Sequence, residues 1–323
     1  METHKNIDFK IVFMGTPGFA VSSLEKLYTN GIRIEAVVTS TDKPAGRGQK
    51  IQFSEVKQFA IEKNLPLLQP EKLKDPQFLQ QLSDLEADLF VVVAFRMLPE
   101  AVWKMPAKGT INLHASLLPQ YRGAAPINWA VINGEKESGV TTFFISHEID
   151  TGNIIAREKV SISENETAGE LHDELAQVGA GLLLKTVCDI RDGKVKAIPQ
   201  DEWLKEYTEL KHAPKIFRED CRINWKGSAE EVHNHIRGLS PYPAAFTEIK
   251  ISNQPIQLKI FRTSVTNGSG VAGVVETDNK TWLKIYTGEG AVLAEEVQLA
   301  GKKRMSVEEF LRGTKIPGGS VCI

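Results

Sequence analysis

The sequence predicts a protein of two parts: an α/β domain with a doubly wound, mostly parallel sheet, and a smaller domain of short β-strands. The first half alternates short apolar runs with amphipathic segments, as strands and helices alternate in α/β folds. The run ADLFVVVA at 87–94 is apolar throughout and rich in valine, which is typical of a buried parallel strand. After residue 220, short strand-like segments follow one another between turn residues. These three observations favour an α/β domain followed by a small barrel.

The predicted boundaries follow from where these patterns change. A length of 323 residues fits two domains, each able to bury its own core. We assign 1–193 to the α/β domain, 194–216 to a linker without a sustained period, and 217–323 to a C-terminal domain. In that last domain we predict a helix capped by Ser228 and a small barrel resembling the OB fold, with strands at 221–225, 246–251, 254–261, 270–276, 281–286 and 291–299.

Composition excludes several classes of protein. The three cysteines have no metal-ligand spacing, and the seven histidines supply no ligand pair, so we expect reduced thiols and no metal. No apolar run of about 18 residues and no signal-like start is present, so we expect a cytoplasmic protein without a membrane partner. A monomer is the expected state.

The first turn of the chain excludes a further class. Gly15 and Gly18 follow the first predicted strand, a spacing that invites a dinucleotide-binding interpretation. The three-glycine fingerprint is absent, however, and Pro17 removes an amide that could hold phosphate. Nicotinamide dinucleotide binding is therefore not predicted.

The stretch TINLHASLLPQYRGAAPI at 110–127 carries the strongest functional signal. A strand through 110–113 places Asn112 and His114 on the same face, because side chains alternate along a strand. A second turn, in SHEIDTGNII, carries Asp150. Each residue alone has a structural interpretation, since a histidine at a strand end is often only hydrogen-bonded and an aspartate before Thr-Gly often forms a turn.

Together these motifs resemble those of a known family. The pattern N-x-H, followed by S-L-L-P-x-Y-R-G-A-A-P-I and a later D-x-G-x-I, closely resembles the 10-formyltetrahydrofolate-dependent formyltransferases. The resemblance implies 10-formyltetrahydrofolate as co-substrate and Asn112, His114 and Asp150 as catalytic residues. It is closest to members that formylate methionine charged on initiator tRNA, which implies that tRNA as partner.

Formyl transfer explains why these residue types are needed together. The reaction passes through a tetrahedral oxyanion, which the Asn112 amide can stabilise. His114 can either donate to the same oxygen or remove a proton from the attacking nitrogen, and Asp150 is expected to fix the tautomer of His114. Because the α-amine of an aminoacyl group has a pKa near or below about 8, much of it is already nucleophilic, and a metal is unnecessary.

The resemblance also implies which residues contact folate. They lie in the central motif and in the loop after the buried strand, where Arg96 replaces a glycine usual in the family: Ser116, Leu117, Leu118, Pro119, Phe95 and Met97.

Two basic segments are predicted to contact tRNA. The segment 42–50, DKPAGRGQK, has a proline and two glycines and is predicted to be a mobile loop whose Lys43, Arg47 and Lys50 contact the acceptor arm. The second segment is Lys302, Lys303 and Arg304. Residues 211–323 hold 16 Lys plus Arg against 12 Asp plus Glu, a balance of +4 that favours a polyanion. Solvated surface explains both segments as well.

Three alternatives remain open. A formyltransferase acting on an amino sugar nucleotide or a purine precursor keeps the chemistry and changes the acceptor. A folate-binding hydrolase, or a relic of a dehydrogenase, uses water as acceptor. An RNA-binding module with an inactive enzyme domain is the third, and the set of Asn112, His114 and Asp150 argues against it.

Overall fold

The structure, a computed structural model, describes residues 9–45, 50–251 and 254–323. The chain divides into two compact units. The first comprises 1–122, 139–160 and 173–211, and the second comprises 123–138, 161–172 and 212–323. Within the described residues, no helix combines the length and the apolar character needed to span a membrane.

The described strands and helices alternate in the first half of the chain and are mostly strands in the second. The strands are β1 (Lys10–Gly15), β2 (Arg33–Val38), β3 (Lys43–Ala45), β4 (Lys50–Gln52), β5 (Leu67–Leu68), β6 (Leu89–Val93), β7 (Thr110–His114), β8 (Arg122–Gly123), β9 (Glu137–Phe144), β10 (Ile154–Ser161), β11 (His212–Ala213), β12 (Ala245–Ile251), β13 (Gln254–Thr266), β14 (Val275–Thr277), β15 (Leu283–Tyr286), β16 (Ala291–Leu299) and β17 (Met305–Ser306). The helices are α1 (Gly18–Thr29), α2 (Glu55–Glu62), α3 (Pro76–Asp84), α4 (Glu100–Trp103), α5 (Pro126–Ile132), α6 (Ala168–Arg191), α7 (Ala229–Gly238) and α8 (Val307–Gly313), with 3-10 turns at Gln200–Glu206 and Glu219–Cys221.

A seven-stranded sheet organises the first half of the chain, in the order β10-β9-β7-β6-β1-β2-β5. The pairs β5–β2, β2–β1, β1–β6 and β6–β7 are parallel, and β9 runs antiparallel to β7. Every residue of β6 is buried, as its continuous apolar run predicts for a central parallel strand. The chain winds outward from β1 in both directions, which confirms the predicted doubly wound fold.

The helix starts follow the capping chemistry of the sequence. The Ser54 hydroxyl accepts a hydrogen bond from the Lys57 amide, and the Asp75 carboxylate accepts from the first turn of α3. At the start of α6, Glu170 Oε2 accepts from the Thr167 amide at 2.9 Å. Each cap satisfies backbone donors that have no partner within their own helix.

The second unit contains a six-stranded antiparallel sheet, in the order β12-β13-β16-β15-β14, with β17 beside β16. The first part of β13 pairs with β12 and the rest pairs with β16, with register shifts near Arg262. Such irregularities let a long strand bend and curl the sheet. The result is the OB-like half-barrel that the sequence predicts. The strand predicted at 221–225 does not form, because only Arg222 makes an isolated bridge, to Phe246.

Two predicted irregular segments have more structure than expected. Part of the predicted linker packs onto the first unit: Ile198 and Ile154 exchange backbone hydrogen bonds of 2.8 Å, and a 3-10 turn follows. In the basic segment, β3 and β4 pair antiparallel, so its two described ends form a short ladder, and the prediction of a mobile loop stays a prediction. The prediction for Arg47 lies outside the described residues.

Candidate active site

Strand β7 ends at His114, whose side chain is 7% exposed. His114 stands opposite Thr141 of β9. Its Nε2 lies 2.9 Å from the backbone oxygen of Tyr121, and its Nδ1 lies 3.8 Å from Asp150 Oδ2. Both the turn after β9 and the loop before α5 therefore reach the ring, although 36 residues separate His114 from Asp150 in the sequence.

Asn112 lies two residues earlier on the same strand. It pairs in register with Val92 of β6 and Phe143 of β9, and it is partly exposed while its neighbours on β7 are buried. The alternation of side chains along a strand puts Asn112 on the face of His114, as predicted. The amide and the imidazole thus share one face at the end of β7.

The backbone of the turn that carries Asp150 restricts which residues can stand there. Asp150 adopts a φ of 54°, a left-handed conformation that aspartate tolerates better than most residues. A Cβ atom added at Gly152 would lie 1.6 Å from the Phe144 oxygen, so only glycine fits there. The Asp-x-Gly pair in the sequence is explained by these two backbone demands.

The tautomer of His114 is set differently from our expectation. A backbone carbonyl can only accept a hydrogen bond, so Nε2 must carry the proton that is donated to Tyr121. Nδ1 then faces Asp150, at a distance longer than a direct hydrogen bond. The Tyr121 carbonyl therefore fixes the tautomer, and the expectation that Asp150 does so is corrected.

A glutamine that the sequence did not single out links the two segments around His114. Gln200 is 3% exposed. Its Nε2 donates to the backbone oxygen of Asp150 at 2.8 Å and to the backbone oxygen of Gly152 at 2.9 Å. Its Oε1 accepts from Arg122 Nε at 3.0 Å and Arg122 Nη2 at 2.6 Å. Gln200 lies in the predicted linker, where nothing in the local sequence marks it. The one sequence feature that pointed to such a contact was its partner Arg122, which follows Tyr121 in the central motif.

Three residues near this site have a strained backbone conformation. Ala94, Tyr121 and Asp150 have φ values of 46°, 58° and 54°, which residues other than glycine rarely adopt. Val93 pairs with Leu113, so Ala94 follows β6 at the level of His114. Such conformations persist only where surrounding contacts enforce them, and they cluster at functional sites.

The residues predicted to contact folate fall into two groups. Ser116, Leu117, Leu118 and Pro119 are buried, the first and third completely. The Leu118 amide donates to Thr141 Oγ1, and Arg157 donates to the Leu118 oxygen. Ser116 and Leu118 are fully buried in this structure. The prediction that these four residues contact folate stays a prediction.

The second group lies on the surface after β6. Met97 is 76% exposed, and Phe95 is partly buried against the core that contains Val92 and Leu98. Arg96 donates to the carbonyl oxygens of Pro70 and Glu71, and partial burial lowers its pKa. Arg96 thereby ties this loop to the segment after β5.

The predicted cations differ in their surroundings. Lys302 and Lys303 are exposed. Arg304 is also exposed, but it forms an ion pair with Glu296, and its guanidinium lies 4.4 Å from the centre of the Phe261 ring. Lys43 and Lys50 lie on the β3–β4 ladder. In the described part of the chain, no group of three or more His, Cys, Asp or Glu side chains is placed to hold a metal ion.

Sequence comparison defines the class of this protein. The family profile "Formyl transferase" matches residues 9–187, and the profile "Formyl transferase, C-terminal domain" matches residues 215–315. The first covers the whole candidate site except Gln200. The fold and the matched profiles together define a formyl transferase with its C-terminal domain.

Full-length relatives narrow the class. A methionyl-tRNA formyltransferase of Azobacteroides pseudotrichonymphae is 54% identical over 94% of this chain and 95% of its own length. Another, of Bacteroides thetaiotaomicron, is 51% identical over 98% of each chain. The chain belongs to the methionyl-tRNA formyltransferase family.

Solved structures support the fold. An N-formyltransferase of Helicobacter canadensis, in complex with folinic acid and dTDP-3-aminofucose, aligns with a TM-score of 0.64 at 23% identity, covering 88% of this chain and 98% of its own. The sugar 3N-formyl transferase WlaRD, solved in the presence of dTDP and 5-N-formyl-THF, aligns with a TM-score of 0.64 at 24% identity, covering 91% and 99%. At these identities the likeness shows a shared fold.

Proposed function

We propose that this protein transfers the formyl group of 10-formyltetrahydrofolate to the α-amine of methionine charged on initiator tRNA. The relatives named for this reaction match almost the full chain at about half identity, and this observation carries the proposal. The site supports it, because an amide, an imidazole and a carboxylate meet at the end of β7. The product is N-formylmethionyl-tRNA, the substrate of translation initiation.

The geometry of His114 supports a different role for each of its two nitrogens. Nε2 is engaged by the Tyr121 carbonyl, so Nδ1 is the nitrogen that can exchange a proton with a substrate. The attacking amine forms a bond to the formyl carbon, and the carbonyl oxygen gains negative charge. Asn112 Nδ2 donates to that oxygen. Nδ1 takes the proton from the attacking nitrogen, the bond between the formyl carbon and the folate nitrogen breaks, and Nδ1 returns the proton to that departing nitrogen.

Asp150 supports this proton transfer. Its carboxylate lies on the Nδ1 side of the ring, where positive charge appears when Nδ1 takes a proton. A negative charge at this distance stabilises the imidazolium. The α-amine of an aminoacyl ester is already largely neutral near pH 8, so the proposed route needs neither a metal nor a covalent enzyme intermediate.

The loop after β6 is the proposed place of folate binding. Ala94 is exposed at the level of His114, and Met97 presents most of its surface beyond it. Backbone groups freed by the unusual conformation of Ala94 can meet the polar edge of a pteridine ring, and Phe95 and Met97 can cover its faces.

The tRNA is proposed to contact the basic segments. Lys302 and Lys303 are exposed and suited to phosphate contacts. Lys43 and Lys50, whose backbone lies on the β3–β4 ladder, and Arg47, which lies outside the described residues, are proposed to make such contacts as well. We leave Arg304 out of this set because it already forms an ion pair with Glu296.

We also propose domain boundaries at 193 and 217, a monomer, and a cytoplasmic location. The first matched profile ends at 187 and the second starts at 215, which supports these boundaries.

One assay tests the reaction and its acceptor. The protein is incubated with radiolabelled 10-formyltetrahydrofolate and, in separate reactions, charged initiator tRNA, charged elongator tRNA, an amino sugar nucleotide and water. We expect label on the charged initiator tRNA, with far less on the elongator. Label on the sugar nucleotide, or hydrolysis alone, would refute the proposed acceptor.

A further inference from the structure

Gln200 occupies a position where its hydrogen-bonding capacity is almost fully used. Both N–H groups of an amide are donors and its oxygen has two lone pairs. Here Nε2 contacts two carbonyl oxygens, of Asp150 and Gly152, and Oε1 accepts from Nε and Nη2 of Arg122. The reversed amide would set donors against Arg122 and an oxygen against two carbonyls. The orientation of Gln200 is therefore unique.

The partners of Gln200 are the segments on the two sides of His114. Arg122 directly follows Tyr121, whose carbonyl holds His114 Nε2. Asp150 faces His114 Nδ1. One buried amide thus connects the segment that fixes the tautomer with the turn that supplies the carboxylate.

Gln200 is itself held in place. The backbone groups of Ile198 exchange hydrogen bonds of 2.8 Å with Ile154, at the start of β10. Pro199 follows, and a 3-10 turn begins at Gln200. The backbone of this segment is therefore anchored at the sheet edge, where the Asp150 turn joins β10.

We propose that Gln200 is a positioning residue for formyl transfer, which sets the separation between His114 Nδ1 and the Asp150 carboxylate by holding the Asp150 turn against Arg122. It does not touch the reacting atoms. Since proton transfer depends steeply on the placement of its partners, displacing this turn lowers kcat more than it weakens binding. The inference rests on the proposed function for its kinetic consequence, while its structural consequence at His114 stands apart from it.

Two variants and a matched control test this role. Gln200→Met fills the same space without hydrogen bonds, and Gln200→Glu keeps acceptors for Arg122 but has no N–H for the two carbonyls. The control is Gln177→Met, at an exposed glutamine of α6 that makes one long hydrogen bond, to Ser22. We expect kcat to fall by about one to two orders of magnitude in both Gln200 variants. KM values for folate and charged tRNA should stay within about twofold, and the control should match the wild type.

The second readout is independent of activity. Nitrogen-15 chemical shifts of the His114 ring report which nitrogen carries the proton. In the wild type and the control we expect the proton on Nε2, and in Gln200→Met a shift toward a mixture of tautomers as the Tyr121 and Asp150 segments loosen. If Gln200→Met does not fold, Gln200→Glu, which can still accept hydrogen bonds from Arg122, is measured in its place.

The possible outcomes separate the two proposals. Unchanged kcat and unchanged His114 signals in the Gln200 variants would overturn the positioning role. Lower thermal stability with normal kcat and normal His114 signals would do the same, since Gln200 would then be only structural. A wild type without transfer activity refutes the proposed function alone, and the His114 signals then decide the role of Gln200.

Discussion

The Nε2–H group of His114 donates to the carbonyl oxygen of Tyr121 at 2.9 Å. The hydrogen bond leaves Nδ1 as the ring nitrogen available for chemistry. Tyr121 adopts a left-handed backbone conformation with φ of 58°, which turns its peptide groups away from regular structure. Because a residue other than glycine adopts this conformation only at a cost, the surrounding contacts must hold it, and the proposed role of Nδ1 depends on them.

Replacing Asn112 with alanine removes the proposed donor to the oxyanion. We expect Asn112→Ala to lower kcat by about two to three orders of magnitude. Folate affinity should change little, because the donor acts mainly in the transition state. Single-turnover transfer and folate binding measure the two effects. Asn30→Ala, at an exposed helix end, is the control, and full activity of Asn112→Ala would remove this residue from the mechanism.

Asp150 can be altered without disturbing its backbone. Asparagine tolerates a φ of 54° about as well as aspartate does, so Asp150→Asn removes the charge alone. We expect kcat to fall about 100-fold while the free energy of unfolding changes by less than about 1 kcal/mol. Asp150→Ala should lose similar activity and about 1 kcal/mol more of stability. Equal kcat for Asp150→Asn and the wild type would show that the charge is not used.

The cations near β17 should differ in their effect on tRNA binding. In a Lys302→Ala/Lys303→Ala variant, the slope of log affinity against log salt concentration should shrink by roughly 0.9 for each phosphate that the protein no longer neutralises. Arg304→Ala serves as the comparison, because its partners are Glu296 and the Phe261 ring. We expect this variant to keep the slope. Filter binding over a salt series measures both, and an unchanged slope in the double variant contradicts the assignment.

Acid should destabilise the protein through a buried histidine, His233, and a partly buried one, His235. Burial lowers the pKa of His233 and of His235 below the ordinary value of 6.5. Both rings are therefore neutral in the folded chain at a pH where the unfolded chain already binds protons. Their contribution to stability is present above pH 6.5 and is lost as pH falls through the lowered values. Denaturant unfolding at pH 7.5 and 5.5 measures the loss.

A variant checks that these rings are the source. Arg237 lowers the pKa of His233 further, whereas Glu295 and, at His235, Asp220 oppose the effect of burial. His235→Phe has no titrating ring, so its stability should fall less between pH 7.5 and 5.5 than that of the wild type. An equal fall in both proteins would assign the acid sensitivity to other groups.

The parallel core could be predicted because its signals are local. A continuous apolar run becomes a central strand wherever two layers cover it, and the cap predicted at Ser228 depends on residues within one turn. The prediction of a strand at 221–225 was wrong because strand pairing is not a local property. The alternating pattern of this segment suits a strand, but only Arg222 finds a strand partner, and pairing depends on distant residues.

The candidate site was predictable only in part for the same reason. Alternation along β7 put Asn112 and His114 on one face, whereas the approach of Asp150 was implied by resemblance to a family. Nothing in the sequence indicated that Tyr121 would contribute a backbone oxygen or that Gln200 would hold the Asp150 turn. Such contacts are made to backbone peptide groups. Because these groups are alike from residue to residue, the sequence does not indicate which of them will be used.

The second compact unit takes in two segments, 123–138 and 161–172, that belong to the N-terminal family profile. Within it, the buried Arg237 donates to the carbonyl oxygens of Ser163 and Glu166, and Asn128 donates to the Gly238 oxygen. A hybrid enzyme joined at residue 215 to the C-terminal domain of a relative would set a foreign helix against these carbonyls. Grafts that carry 123–138 and 161–172 along with that domain should express and remain folded where simple terminal exchanges fail.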